Sequence, residues 1–346
     1  MLHRTHENMP LLRSPRDTLS RPLKDLRLSV LDRCNFRCSY CMPEESIKGG
    51  APFLPKKDLL SDDELLRLAS VFTQLGVSKI RLTGGEPLLR PGFTGLVRRM
   101  AQLPGVDDLS MTSNGVLLPQ LAQDLASAGL KRITVSLDSL DEAVFARMSG
   151  NRGSVAQVLA GIEAAGEAGF TQLKINCVVQ AGVNDHTVMD LVEHFRGSGH
   201  IVRLIEFLDV GSSNDWHRDQ VVPGQEWLKR IHERWPLRPL QRNQPGETAM
   251  RYAYEDGQGE IGLINSISQP FCGHCSRARV TADGMLYTCL FSANGTPLRP
   301  LLRECSGQKA LLRAIRDLWS TRDDRYSETR HLTSSAARPE MYRMGG

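Results

Sequence analysis

Six of the eight cysteines fall in two tight groups: Cys34, Cys38 and Cys41, then Cys272, Cys275 and Cys289. Three thiolates on one loop can hold three irons of a cubane four-iron–four-sulfur cluster. The usual complement is four cysteines, so one iron stays open. For Cys34-x-x-x-Cys38-x-x-Cys41 the rival is structural zinc, which prefers four closed ligands and finds no fourth partner nearby. In the second group, Cys272-Gly-His-Cys275 with Cys289 following after 13 residues, the choice stays open, because His274 could complete a Cys3His zinc site. Cys177 sits in an apolar run and reads as core, and Cys305 reads as a bystander. An open iron can bind a small chelating ligand, a need that the amino and carboxylate groups of S-adenosylmethionine (SAM) fit.

A second set of residues suits a polyanion. Arg277-Ala278-Arg279 lies between the cysteines of the second group, and on a strand the two arginines share a face. Arginine binds phosphate through paired hydrogen bonds. Arg27, Arg81 and Lys174 sit on separate strand candidates whose side chains would converge inside a barrel. One such residue by itself is better read as a salt-bridge partner or a solvated charge. No G-x-x-x-x-G-K-[ST] loop is present, which excludes a P-loop nucleotidase. Thr83-Gly84-Gly85-Glu86-Pro87 closes a strand with glycines that let backbone approach closely.

These residues need elements to hold them. Strands are expected at Leu26–Leu31, Lys79–Thr83, Leu109–Thr112, Arg132–Leu137, Leu173–Val179 and Ile201–Phe207, from short apolar, β-branched runs. Helical periodicity follows each at Ser61–Leu75, Phe93–Leu103, Pro119–Ala128, Ser154–Ala168, His186–Phe195 and Gln225–Arg234. Ser61-Asp-Asp-Glu64 is a capping box that starts the first of these helices. The alternation predicts an α/β fold with parallel strands: a partial (β/α)6 TIM-type barrel, short of the eight units of closure. The alternative, a doubly wound sheet, lacks its G-x-G-x-x-G fingerprint.

Around Arg238–Pro245 the composition shifts to Pro, Gln and Arg, which reads as a boundary. Beyond it, Tyr252–Tyr254, Ile261–Leu263 and Ala278–Val280 are short strand candidates, Asp283-Gly284 signals a hairpin, and Gln308–Leu318 a last helix. The division is therefore a disordered arm over residues 1–22, a barrel over 23–237 and a C-terminal α+β extension over 238–346 carrying the second cluster. A net charge of +4 implies no nucleic-acid partner, and no run is long and apolar enough for a membrane helix. The arm lacks the apolar stretch of a secretory signal, and Glu7 and Asp17 count against a transit peptide. The expectation is a soluble, cytoplasmic protein.

The stretch Leu26-Arg-Leu-Ser-Val-Leu-Asp-Arg-Cys34-Asn-Phe-Arg-Cys38-Ser-Tyr-Cys41-Met-Pro resembles the signature of radical SAM enzymes. With the second cysteine group it resembles, more narrowly, the GTP 3′,8-cyclases, which begin molybdenum-cofactor synthesis. The match runs from about residue 24 to the C-terminus. The resemblance implies two four-iron clusters, one on Cys34, Cys38 and Cys41 and one on Cys272, Cys275 and Cys289, with SAM as cosubstrate. It assigns Tyr40, Gly85, Ser136 and the position of Leu208, where the family usually has Met, to SAM. To GTP it assigns Arg27, Arg81, Thr112, Lys174, Arg277 and Arg279, together with the backbone around Ala278. It also implies a homodimer, an electron donor, a downstream cyclic pyranopterin synthase that takes the product, and a C-terminal Gly345-Gly346 tail reaching the site.

Overall fold

A computed structural model describes residues 14–48, 53–242, 246–304, 307–330 and 338–345. Six strands, β1 (Asp25–Ser29), β2 (Lys79–Thr83), β3 (Asp108–Ser113), β4 (Arg132–Ser136), β5 (Lys174–Val179) and β6 (Ile201–Glu206), lie side by side and parallel. Each coincides with an expected strand to within about two residues. The connecting helices cover the outer face, so the strands alternate between buried apolar side chains and side chains aimed inward. The capping box forms as expected, Ser61 accepting from the Glu64 N–H while the Glu64 carboxylate accepts from the Ser61 N–H. The periodicity reading passed over several short helices, among them Glu142–Ser149, started by Asp141, whose carboxylate accepts from the Val144 N–H at 2.9 Å.

The extension does not fold beside the barrel but lengthens its sheet at both edges. Strands β7 (Leu237–Leu240), β8 (Met250–Tyr254) and β9 (Glu260–Ile264) add to β6. Strands β10 (Arg277–Val280), β11 (Met285–Tyr287) and β12 (Thr296–Pro297) add to β1. β9 runs parallel to β6 and β10 parallel to β1, so the parallel set is eight strands wide. The sheet remains open between β12 and β7. The Asp283-Gly284 turn joins β10 to antiparallel β11, as expected. A single apolar core links Leu28, Ile80 and Val135 of the barrel with Tyr252, Leu286 and Trp319 of the extension.

Two expectations are corrected. The Pro-rich stretch starting at Arg238 is not simply a break, because Leu237–Leu240 forms β7. Pro239 is tolerated there because β7 is an edge strand, where a missing N–H costs no ladder bond. The rest of that stretch, 243–245, lies outside the described residues. Nor is the whole of 1–22 a disordered arm. Residues 1–13 lie outside the described residues, but from Ser14 onward the segment is packed, with Asp17 and Arg21 buried and ion-paired at 2.5 Å. A polar composition misled because its charges neutralise one another out of water.

Candidate active site

Strand register brings the cations together. Arg27 pairs with Arg81 on one side and with Arg279 on the other, so three guanidiniums from β10, β1 and β2 stand in one row on the inner face. Arg81 Nη1 donates to Thr112 Oγ1 and Thr134 Oγ1, both at 3.2 Å. Arg203 on β6, opposite Asn176 of β5, donates to its Oδ1 from Nε at 2.9 Å. Crowding and burial hold all of them down: Arg81 to about 10 and Arg203 to about 9, by burial first and then by neighbouring arginines. Lys174 falls to about 7, by burial and then by Arg203, Arg132 and Arg81. The Nε atoms of Arg277 and Arg279 are buried with no hydrogen-bond partner. Massed buried cations with unused donors are suited to a polyanion, whose arrival relieves both the repulsion and the unmet hydrogen bonds.

The cavity these side chains line opens at the C-terminal ends of the strands onto all six clustered cysteines. Cys34, Cys38 and Cys41 lie on the loop after β1. Gly84 and Gly85, at the end of β2, grip that loop through backbone: Gly85 N–H donates to Leu31 O at 2.7 Å and Glu86 N–H to Arg33 O at 2.8 Å. A Cβ on Gly85 would sit 2.2 Å from Arg33 O, so glycine is demanded by the cysteine loop, whatever else approaches it. The buried Glu86 carboxylate accepts from Leu88 N–H, Ser113 Oγ and Asn114 N–H. Burial nonetheless raises it to about 7. Tyr40 donates to Asp138 Oδ2 at 2.8 Å, and Asp138 is raised by burial to about 6. Burial and the neighbouring Glu86 raise the Cys34 thiol to about 11.

Cys272 and Cys275 flank a single 3-10 turn, and Cys289 follows β11. Burial, then Asp324, raise the Cys289 thiol to about 11, but at Cys275 the charge is reversed. Burial would raise the Cys275 thiol, but Arg277, Arg322 and Arg279 outweigh it and bring it down to about 6. Arg277 stacks over Phe271 and donates to Cys275 Sγ at 3.4 Å.

Most of the expected site residues meet in this cavity: the six cysteines, Tyr40, Gly85, Ser136, Leu208, Arg27, Arg81, Thr112, Arg277 and Arg279. Leu208 lies just beyond β6, and its carbonyl accepts from Asn214 Nδ2 at 2.9 Å. Lys174 lines a second cavity toward the N-terminal ends of the strands, with Lys79 and Arg132; Arg27, Arg81, Arg203 and Arg277 line both cavities. The Ala278 side chain packs in the core, on the face of β10 opposite Arg277 and Arg279, which leaves only its backbone for the contact expected there. Cys177 is buried in β5, as expected, and Cys305 lies outside the described residues. Of the tail, Met341 lines the cavity and Gly345 lies against Thr83, while Gly346 is outside the described residues. Sequence reading missed Arg203, Lys79 and Arg132, although a charged residue within a barrel strand was the same signal that singled out Arg27.

The donors can be tested against the groups they might hold. Among the described residues, no three His, Cys, Asp or Glu side chains gather closely enough for a single metal ion, and His274 is exposed rather than turned inward. A four-iron cube, with its metal atoms at separate corners, takes thiols further apart and leaves one corner to the cavity. Each trio presents three thiols to the cavity, the donor set that a cluster with one open corner needs.

The radical SAM superfamily matches residues 28–195, and the Molybdenum Cofactor Synthesis C family matches 200–328. A protein from Xanthomonas axonopodis pv. citri named GTP 3′,8-cyclase is 53% identical over 95% of this chain and 98% of its own. One of the same name from Acidothermus cellulolyticus is 49% identical over 94% and 91%. Among solved structures, Streptococcus suis SuiB bound to S-adenosylmethionine superimposes with a TM-score of 0.61, covering 91% of this chain and 69% of that one. At 13% identity, that likeness concerns the fold.

Proposed function

We propose, for a chain that belongs to the GTP 3′,8-cyclase family of radical SAM enzymes, that it converts GTP to 3′,8-cyclo-7,8-dihydro-GTP using SAM and two four-iron clusters. The observation that carries this reading is the single cavity walled by both cysteine trios and by buried arginines. Cys34, Cys38 and Cys41 would hold the cluster that serves SAM, and Cys272, Cys275 and Cys289 the one that faces the guanine ring. A cluster held by Cys34, Cys38 and Cys41 would, with SAM, supply the carbon radical that abstracts hydrogen.

The chain's own residues do the rest. Tyr40, Gly85, Ser136 and Leu208 border the SAM side of the cavity. Arg27, Arg81, Arg203, Arg277 and Arg279 take the triphosphate, with Lys174 and Lys79 at its far end and Thr112 alongside. Anchored at its phosphates and at its base, the nucleotide has its ribose C3′ hydrogen fixed against the SAM side, and C3′ near C8 of guanine. Held geometry of this kind replaces a bimolecular encounter, and much of the arginine binding energy serves orientation rather than affinity. Leu290, Phe291 and Met341 of the extension give the cavity an apolar lining, which disfavours water at the reacting atoms.

The electron donor, a homodimeric assembly and a downstream enzyme that takes the product belong to the same proposal. No helix of the described residues is long and apolar enough to cross a membrane. The test is anaerobic iron and sulfide content with EPR spectra, with and without GTP, alongside SAM cleavage. Two clusters, a GTP-dependent spectral change and GTP-dependent cleavage are expected. Zinc without sulfide, or equal cleavage without GTP, would sink the reading.

A further inference from the structure

The carbonyls of two of the second trio's cysteines are held by arginines that come from opposite ends of the chain. Arg21 Nη1 donates to Cys272 O at 2.8 Å and to Asp324 O at 2.7 Å. Arg322 Nη1 donates to Cys275 O at 2.8 Å, and its Nε to Asp324 Oδ2 at 3.0 Å. Both guanidiniums converge on one carboxylate oxygen, Asp17 Oδ2, at 2.5 and 3.1 Å. The other oxygen, Oδ1, accepts the backbone N–H groups of Leu19 and Arg21. The Asp17 side chain is 0% exposed, Arg21 2% and Arg322 1%. The Trp319 indole closes the assembly, stacked under Arg322 and donating to Arg21 O at 3.0 Å.

The turn that carries Cys272 and Cys275 is also held by Glu328, whose Oε1 accepts from Gly273 N–H at 3.3 Å. Within it, Cys275 N–H donates to Cys272 O and His274 N–H to Phe271 O, and Gly273 and His274 are exposed. Two guanidiniums fixed by a shared buried carboxylate set where the two sulfur-bearing residues sit. A carboxylate that orients a ligand through an intermediate donor is a common way for proteins to place metal ligands.

The geometry points to Asp17 as the positioning residue of the second trio, acting through Arg21 and Arg322 on the Cys272 and Cys275 carbonyls. The inference rests on the reading that this trio holds a cluster facing the substrate. Its consequence is that the segment from Ser14 to Pro22 is part of the substrate site's framework, although it contacts neither the cavity nor the cysteine side chains.

The experiment uses the full-length chain, anaerobically reconstituted, as wild type, Asp17→Asn and Arg21→Lys. The second variant keeps a cation on Asp17 but loses the fork that reaches two carbonyls, so it tests the idea even where Asp17→Asn does not fold. Both variants are expected to retain the SAM-induced change in the EPR spectrum, which reports the first trio. The GTP-induced change should weaken or vanish, and the KM for GTP should rise about 10–100-fold, more than kcat falls. A wild-type GTP response and KM in both variants would overturn the positioning role alone. Loss of the SAM and GTP responses together, with an earlier thermal transition, would also overturn it, by showing a general structural effect. Wild-type protein with only about four irons per chain would bring down the two-cluster reading and this inference together.

Discussion

Cys34, Cys38 and Cys41 share one short loop that is locked by backbone, through Gly85 on Leu31 O and Glu86 on Arg33 O. Cys272, Cys275 and Cys289 come from two segments, and the carbonyls of the first two are held by arginines that share the buried Asp17. The electrical settings differ as well. The first trio sits near the buried acids Glu86 and Asp138, and its thiols are raised. The second is mixed: arginines bring Cys275 down to about 6, while burial and then Asp324 raise Cys289 to about 11. Reduction potentials of such clusters follow local charge and hydrogen bonding. On the proposed reading, the first trio would hold its cluster beside buried acids, and Cys275 of the second would lie beside the arginines that grip the nucleotide.

The largest effect should come from breaking each trio in turn. Cys34→Ser is expected to leave no measurable SAM cleavage while the GTP-induced EPR change persists. Cys289→Ser should do the reverse, keeping the SAM-induced change while GTP turnover drops roughly 100-fold or more. Identical losses in the two variants would erase the distinction drawn between the sites. Gly85→Ala sharpens it further. Its Cβ would meet Arg33 O at 2.2 Å, a backbone clash with no side chain to yield, costing about 1–3 kcal/mol. First-cluster iron should be lost and second-cluster iron kept, so full iron loading of both sites in Gly85→Ala would contradict the backbone lock.

A smaller effect is expected where the second trio's frame meets substrate. Arg277→Ala and Arg279→Ala should each hold a full complement of iron. A hydrogen bond to a charged group contributes about 1.5–3 kcal/mol, so the KM for GTP should rise about 10–100-fold in each. Turnover unchanged in both variants would remove these residues from the triphosphate's grip.

The difference between the trios also governed what sequence could reveal. Cys34 to Cys41, Gly84-Gly85 and the row of Arg27 and Arg81 depend on spacing and strand period, both of which are written locally, and they were legible. So was the barrel, because each strand and its helix announce themselves within about thirty residues. The extension's placement was not. Whether β9 and β10 lie on a separate layer or add to the two edges of the barrel depends on pairings across most of the chain. The same holds for Asp17, whose partner Arg322 is 305 residues away. Its surroundings (Pro, Arg, Thr, Ser) read as solvated chain because neutralisation by a distant residue leaves no local mark. Arg203 differs: it was readable by the rule applied to Arg27, and only the apolar residues around it disguised it as core.

The gentlest test concerns pH, through Lys174. Burial, then Arg203, Arg132 and Arg81, lower it to about 7, far below the lysine of an unfolded chain. Between those two values the unfolded chain carries the extra proton, so the free fold gains stability from this group as pH rises above about 7. Binding runs the other way. A triphosphate favours the charged ammonium, so above about 7 the protein must take up a proton to bind with full strength, and affinity should fall by up to tenfold per pH unit. The nucleotide titrates too, but Lys174→Met removes only the protein's share, and the ratio of the two KM profiles isolates it. That ratio should be largest near pH 6 and shrink steadily toward pH 9. A ratio that stays flat across this range would mean that Lys174 is charged throughout, and that the cations at the far end of the cavity are less crowded than their geometry requires.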